Sequence, residues 1–338
     1  MGIAEKKDIE NIKENWQAVF KDSREFIDLF FNTFKNKGII VKHSEEERIL
    51  SSAALIDMKY RLKNGVLNAY YIYAAMTLPE HRGKGIMSRL ITEGLKICSK
   101  KNPLCLVFPA KPSLVSYYSR FGFARSFKLY ESIISRDDLK NHIGKEDGLN
   151  EVNIALKEHL NIINKEFSVN RDLETYEFTI KENSNANGSL FIGENGYMFV
   201  REYDDYVLIK DYSLSMKEFP QAAALLYNRF ERNKFVFHSR KNAIPFKMHS
   251  INAPMARITN VKSALDIFAA ENKDIEITIR VNDPLITQNS GVYRIADGVA
   301  NLTYSLYNID LDYNITELTD YILSSGRQYE PYGNMMFD

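Results

Sequence analysis

The sequence predicts an α/β protein of more than one unit, and three observations carry that prediction. Its 338 residues exceed one ordinary domain and suggest two or three. Residues 48–108 read strand–strand–helix–strand, and the same order returns over 186–239. A glycine-rich basic turn, "EHRGKG" at 80–85, stands where a strand gives way to a helix.

In chain order, residues 8–34 carry two helices. Trp16, Val19 and Phe20 mark the apolar face of the first. Asp22 or Ser23 can cap the second, where Phe26, Ile27, Phe30, Phe31 and Phe34 recur at helical spacing. Strands follow at 38–42, 48–60 and 66–78, the last two joined by an Asn-Gly hairpin signal in "KNGV" at 63–66. A helix over about 84–100 aligns Ile86, Leu90, Ile91, Leu95 and Ile97. The buried strand "PLCLVF" at 103–108, a short helix at 113–120 and a strand at 123–134 come next. Residues 135–185 are polar and partly helical. The second run of strands, "GSLFIG", "GYMFVREY" and "DYVLIKDYSLS", leads to a helix at 216–231 and the strand "KFVFHS" at 234–239. From 256 the pattern is strand, helix (261–271), three strands and the helix "NITELTDYILSSG", before the tail "RQYEPYGNMMFD".

Composition narrows the function classes. Forty-four Lys and Arg balance 44 Asp and Glu, which argues against a general nucleic-acid binder. No apolar run approaches the roughly 20 residues of a membrane span, and the polar start "MGIAEKKDIENIKENW" is no signal peptide. Two cysteines, Cys98 and Cys105, cannot build a disulfide scaffold or a four-thiolate metal site. The six histidines show no i, i+4 metal pair, so no metal is expected. The expected compartment is the cytoplasm.

The turn at 80–85 is the strongest local signal. Free N–H groups at a helix start carry about half a positive charge and point into the preceding turn. Gly83 and Gly85 remove side chains there, and Arg82 and Lys84 add charge, which makes a diphosphate cradle in type. A solvated basic turn is the bland alternative. The pattern is neither a P-loop nor a G-x-G-x-x-G fingerprint, since Gly83-Lys84-Gly85 runs on into Ile86, Met87 and Ser88.

What stands there, Arg82-x-x-Gly85-x-Met87 after a strand ending Thr77-Leu78-Pro79, resembles the acyl-coenzyme-A motif of the GNAT superfamily of N-acetyltransferases, usually Q/R-x-x-G-x-G/A. Met87 departs from the small last residue. "SLVSYYSRFGFA" at 113–124 is similar to the family's late Y-x-x-x-G-F segment. The whole chain resembles the Eis-like (enhanced intracellular survival) branch, whose shorter bacterial members end like "PYGNMMFD". That resemblance implies a catalytic GNAT domain with an acetyl-coenzyme A site at 1–135, whose mixed, largely antiparallel sheet is flanked by helices. It implies a degenerate GNAT-like domain at 136–254 and a sterol-carrier-like α/β domain at 255–338.

The resemblance also implies residue roles. The backbone of Ala75, Met76 and Thr77 would hold the pantetheine arm. Arg82, Gly83, Lys84, Gly85, Ile86 and Met87 would hold the diphosphate, with Ser88 adding a hydroxyl. Tyr118, four residues before Gly122, occupies the catalytic tyrosine's position, as hydrogen-bond donor and brief acid to the departing thiolate; Tyr117 is the competing candidate. The carboxylate of the last residue, Asp338, would enter the active site to orient the amine or a water. Tyr71 and Tyr73 share one strand face and either line the acceptor pocket or pack in the core.

The expected activity is transfer of an acetyl group from acetyl-coenzyme A to a primary amine: a small molecule, an aminoglycoside-like compound, or a peptide or protein lysine. One cofactor site per chain is expected, because 186–260 lacks the motif. The alternative is a non-catalytic acyl-coenzyme-A-binding or interaction protein on the same scaffold. An aminoacyl- or peptidyl-transferase would need a cleft open to tRNA, which the neutral charge disfavours. No nucleic-acid or membrane partner is expected, and homo-oligomerisation is left open.

Overall fold

Trp16 organises the first helical pair. In a computed structural model that describes residues 1–145, 148–304 and 308–333, helix α1 spans Ile9–Phe20 and α2 spans Arg24–Phe34. The chain reverses at Lys21, which takes a left-handed conformation at φ 66°. Ser23 then caps α2 by accepting from the Phe26 N–H at 3.2 Å. Asp22 has another role: its carboxylate accepts from the Trp16 indole N–H at 2.6 Å, which satisfies the one polar group of a buried ring. Ile27, Phe30, Phe31 and Phe34 form the buried stripe of α2. The Trp16 ring lies 4.8 Å from Phe30 and 5.7 Å from Tyr73 on the sheet.

That sheet contains strands β1 (Gly2–Ile3), β2 (Gly38–Glu45), β3 (Arg48–Arg61), β4 (Val66–Thr77) and β5 (Leu104–Val107) in sequential order, followed by the strand Met255–Ile258. Pairing is antiparallel from β1 to β4, parallel between β4 and β5, and antiparallel again between β5 and Met255–Ile258. Helix α3 (Ile86–Lys101) makes the β4–β5 crossover, and α4 (Pro112–Ser119) follows β5. Leu90, Ile91, Leu95 and Cys98 of α3 are buried with Tyr70 and Ile72 of β4 and Cys105 and Val107 of β5.

A second sheet has the same grammar. Gly188–Ile192, Tyr197–Glu202 and Val207–Tyr212 form an antiparallel meander. Val207–Tyr212 pairs parallel with Lys234–Ser239 across the helix Phe219–Arg229, and Lys234–Ser239 pairs antiparallel with Tyr130–Ser135. Its core is aromatic, with Phe219, Phe235 and Phe237 all buried. A third sheet has four strands, Val299–Thr303, Gly291–Ala296, Ile277–Asn282 and Leu311–Asn314 in that order. The helices Val261–Glu271 and Ile315–Leu323 accompany it.

By its internal contacts the chain falls into two compact units. One unit is Met1–Phe127 with Pro254–Pro331, and the other is Lys128–Ala253 with Tyr332–Asp338. The reason lies in the strand after each parallel pair. The expected strand 123–134 resolves into two isolated bridges, Ala124 to Ala256 and Lys128 to Tyr332, and a true strand only at Tyr130–Ser135, which belongs to the second unit's sheet. Met255–Ile258 closes the edge of β5 instead. Each sheet is thus completed by a strand that chain order would assign elsewhere.

Candidate active site

The two strands that frame the site part company. β4 and β5 pair in register from Ala69↔Leu104 to Ile72↔Val107, and there the pairing stops while β4 continues to Thr77. At the same point β4 carries a bulge: the β3 register shifts between Ser52 and Ala54, and Ala74 is left-handed at φ 48°. A non-glycine residue there is strained, and bulges of this kind re-aim a strand beside a functional site. On its other edge β4 stays anchored, since the Ser51 hydroxyl donates to the Met76 carbonyl at 2.8 Å. Ala75, Met76 and Thr77 therefore lie on the stretch of β4 that has outrun β5, with one edge available for an extended ligand.

The turn after β4 ends at helix α3. Gly83 and Gly85 are both left-handed, at φ 76° and 71°, and Gly85 is the N-cap. The first helical N–H to find a backbone acceptor is that of Arg89, which bonds the Gly85 carbonyl at 3.1 Å. The N–H groups of Ile86, Met87 and Ser88 precede it and have no intrahelical acceptor. A Cβ built on Gly83 would meet nothing within 4 Å, and one on Gly85 would meet only the Arg89 guanidinium at 3.5 Å. The protein itself does not need that space, so the bare cradle fits a diphosphate pressed against the backbone.

Arg82 and Lys84 are exposed around this turn. Arg82 is steered by its Nε, which donates to the Thr77 carbonyl at 3.1 Å. A third cation escaped the sequence reading: Arg89, one turn into α3, bends back so that Nη1 donates to the Lys84 carbonyl at 3.3 Å. Its signal was its i+4 spacing from Gly85 on an exposed helix face.

The tyrosines divide by role. Tyr118 of α4 is 6% exposed and packs edge-on against Tyr117 and Phe123 at 5.3 and 5.8 Å. Burial, then Tyr117 and Cys105, push its phenol well above the ordinary value, so it stays protonated. Tyr117 is half-buried, and its hydroxyl lies 3.3 Å from the Ser88 hydroxyl, which ties α4 to the first turn of α3. Tyr71 and Tyr73 are both buried, with their rings 5.8 Å apart. Burial and then Tyr118 raise Tyr71, whereas Tyr73 belongs to the Trp16–Phe30 aromatic cluster, 5.3 Å from Phe30. Asp338 lies outside the described residues. Among the described residues no group of three His, Cys, Asp or Glu is placed to hold a metal, and no helix is long and apolar enough to cross a membrane.

Behind the Tyr118 segment lies a buried support that the sequence reading did not single out. Arg257, on the strand that pairs with β5, donates through Nη1 to the Phe121 carbonyl at 2.6 Å. Its Nη2 meets both oxygens of Asp283 at 2.7 and 2.8 Å. Gly122 is left-handed at φ 78°, and a Cβ there would collide with Arg257 Nη1.

Residues 3–126 match the family described as "Acetyltransferase (GNAT) domain". No curated protein matches by sequence. Among solved structures, the chain is similar to a probable N-acyltransferase from Enterococcus faecalis V583 (TM-score 0.79, 16% identity, covering 96% of this chain and 89% of that one). It is also similar to a GCN5-related N-acetyltransferase from Kribbella flavida (0.70, 13%, 98% and 97%) and to Eis1 from Mycobacterium abscessus (0.68, 13%, 96% and 89%). At these identities the likeness is one of fold.

Proposed function

We propose that this chain, whose residues 3–126 match the family described as "Acetyltransferase (GNAT) domain", moves an acetyl group from acetyl-coenzyme A to a primary amine, at one site per chain. The observation that carries the reading is the coincidence, at the end of one strand, of the β4–β5 parting and the bare left-handed Gly83–Gly85 turn. The equivalent place in the second unit supports a single site. There the parallel pair resumes beyond a register shift after Ile209 and reaches Tyr212↔Ser239. The following loop has no glycine, and its helix opens on Glu218, whose carboxylate accepts from Ser215. A carboxylate in that place repels a diphosphate.

Bound acetyl-coenzyme A supplies an acetyl group activated as a thioester. Ala75, Met76 and Thr77 hold its arm by main-chain hydrogen bonds, in place of the missing strand. The N–H groups of Gly83 to Ser88, with Arg82, Lys84 and Arg89, hold its diphosphate. The amine must be neutral to attack, and at pH 7 only about one lysine-like amine in 10³ is. Desolvation and orientation therefore carry part of the barrier.

Tyr118 holds its proton and donates a hydrogen bond to the sulfur as charge builds there. With its phenol raised by burial, it acts as a donor rather than as a full acid, since a thiol's reference pKa of about 8.5 lies far below it. Asp338 remains our candidate for orienting the amine. Tyr71 is the better acceptor-side candidate of the strand tyrosines, because Tyr73 is engaged in the aromatic core. The acceptor class stays as wide as small-molecule amines and lysine side chains. The four-stranded sheet with its two helices is our reading of the sterol-carrier-like module.

Calorimetric titration with acetyl-coenzyme A tests the assignment. We expect one site per chain, weakened at least 100-fold in Arg82→Ala/Gly85→Glu, and thiol release when an accepted amine is added. Wild-type protein that binds no acetyl-coenzyme A overturns the reading. Tight binding without thiol release across an amine panel points to a binding protein instead.

A further inference from the structure

Tyr118 is placed without help from its own hydroxyl. Among the described residues no side-chain hydrogen bond holds that hydroxyl, so ring packing and the main chain set where the phenol stands. The ring packs against Tyr117 and Phe123. The main chain is held through Phe121, whose N–H donates to the Tyr118 carbonyl at 2.9 Å and whose own carbonyl accepts from Arg257 Nη1 at 2.6 Å. A single residue thus links Tyr118 to a guanidinium.

That guanidinium is itself fixed. Arg257 stands opposite Cys105 of β5 on the strand Met255–Ile258, and its Nη2 meets both oxygens of Asp283. Asp283 is braced in turn by the Leu285 and Ile286 N–H groups and by Asn289 Nδ2. The Ile286 side chain shares one buried cluster with Tyr118, Phe121 and Phe123. Next to Arg257, Ala256 exchanges both main-chain hydrogen bonds with Ala124, at 2.6 and 3.0 Å. The stretch that follows Tyr118 is therefore fastened to one strand at both of its ends, Phe121 and Ala124. Gly122 lies between them, and its missing Cβ leaves the space that the guanidinium fills. Stability alone does not call for an arginine here, because apolar residues of similar volume often serve a buried site as well as an ion pair does. What a guanidinium adds is a planar fork whose two arms point in fixed directions, one to Asp283 and one to the Phe121 carbonyl.

We propose that Arg257 is a positioning residue for acyl transfer: braced by Asp283, it acts through Phe121 to set the place from which Tyr118 donates to the sulfur. The inference rests on that reading of Tyr118. It makes the strand Met255–Ile258 and the Asp283–Asn289 turn, which lie outside the matched residues 3–126, part of what tunes the reaction. A displacement of about 1 Å at a reacting group is worth up to about 10²-fold in rate.

The test measures thiol release from acetyl-coenzyme A with an amine that the full chain accepts, and coenzyme A affinity by calorimetry, at a temperature where circular dichroism shows every variant folded. Arg257→Met should lower kcat roughly tenfold or more and leave coenzyme A affinity within about threefold. The same change made in Tyr118→Phe should lower kcat little further, because a residue that acts through the Tyr118 hydroxyl then has nothing to position. Arg257→Met/Asp283→Asn should regain stability without regaining rate, whereas a merely structural role makes rate return with stability. In the full chain labelled with ¹³Cζ-tyrosine, the Tyr118 signal is the one missing from Tyr118→Phe, and Arg257→Met should shift or split it. If Tyr118→Phe is slow, this inference alone is overturned by any of four results: a wild-type kcat in Arg257→Met, a loss that adds in full to that of Tyr118→Phe, a rate that returns with stability, or an unmoved Tyr118 signal. A normal kcat in Tyr118→Phe, or no turnover of any amine, overturns the reading beneath it and the inference together.

Discussion

Arg257 offers the most quantitative check of how the first unit is held together. Its side chain is 1% exposed and that of its partner Asp283 is 0% exposed. Replacing Arg257 with Met keeps the stem's volume but leaves Asp283 as a buried carboxylate without its cation, and breaking a buried pair from one side costs about 3–5 kcal/mol. Two features place this case at the low end. Asp283 keeps three donors, the Leu285 and Ile286 N–H groups at 3.1 Å each and Asn289 Nδ2 at 2.9 Å. Arg257 also brings a liability of its own, a buried Nε with no acceptor among the described residues, which the substitution removes and which costs about 1 kcal/mol or more. The expected loss is therefore about 3 kcal/mol, or roughly 6–12 °C in the melting temperature of a unit of this size. Urea and thermal denaturation followed by circular dichroism measure it. Adding Asp283→Asn to Arg257→Met should return about 1 kcal/mol or more, because the stranded charge disappears while Oδ1 still accepts from the two N–H groups. A single-variant loss under about 1 kcal/mol, or a double variant less stable than the single, refutes the reasoning.

Three further predictions follow from the same geometry. Gly83→Ala should cost only about 1–2 kcal/mol of stability for its left-handed backbone, since its Cβ meets no protein atom, yet it should weaken coenzyme A binding more than tenfold; calorimetry showing unchanged affinity would remove the turn from the cofactor site. Tyr118→Phe should leave that affinity within about threefold while lowering kcat by about 10²-fold, and because burial raises the phenol, the wild-type rate should show no alkaline fall from this group below about pH 10; a Tyr118→Phe enzyme of normal kcat sinks the role. Lys210 is buried, and burial lowers its pKa to about 7. The unfolded chain binds more protons than the folded one between about pH 7 and 10.5, so the lysine's destabilising effect is full below pH 7 and fades as pH rises through that window. Melting temperatures of wild type and Lys210→Met compared across it should converge toward alkaline pH; divergence counts against the assignment.

Much of the first unit was legible because its signals are local. The α2 stripe and the Ser23 cap are read off adjacent residues, and so is the pair of glycines before α3. What escaped was non-local. The bulge at Ala74 sits in "YAAMT", where no glycine or proline announces it, and the parting of β4 from β5 depends on where pairing ends rather than on composition. Arg257 and Asp283 are ordinary charged residues in sequence, and only the fold buries them together behind Phe121. The strands Tyr130–Ser135 and Met255–Ile258 are short apolar runs that could serve either sheet, and sequence order favours the wrong one. Leu311–Asn314 was too short and polar to register as a strand. Asp338, read from resemblance, gains no structural test because it lies outside the described residues.

The late arrival of Met255–Ile258 also sets a clock. β5 pairs with it from Val107↔Met255 to Leu104↔Ile258, so about 150 residues must be added after β5 before that edge has its partner. At a synthesis rate of about 5–20 residues per second, the wait is on the order of 10–30 s. A nascent chain that already carries every motif residue thus spends that time with an apolar strand edge open to pairing with a neighbour. The match to the acetyltransferase family is contiguous in sequence, but on the ribosome the sheet that carries it is finished only when a segment far beyond the match has emerged.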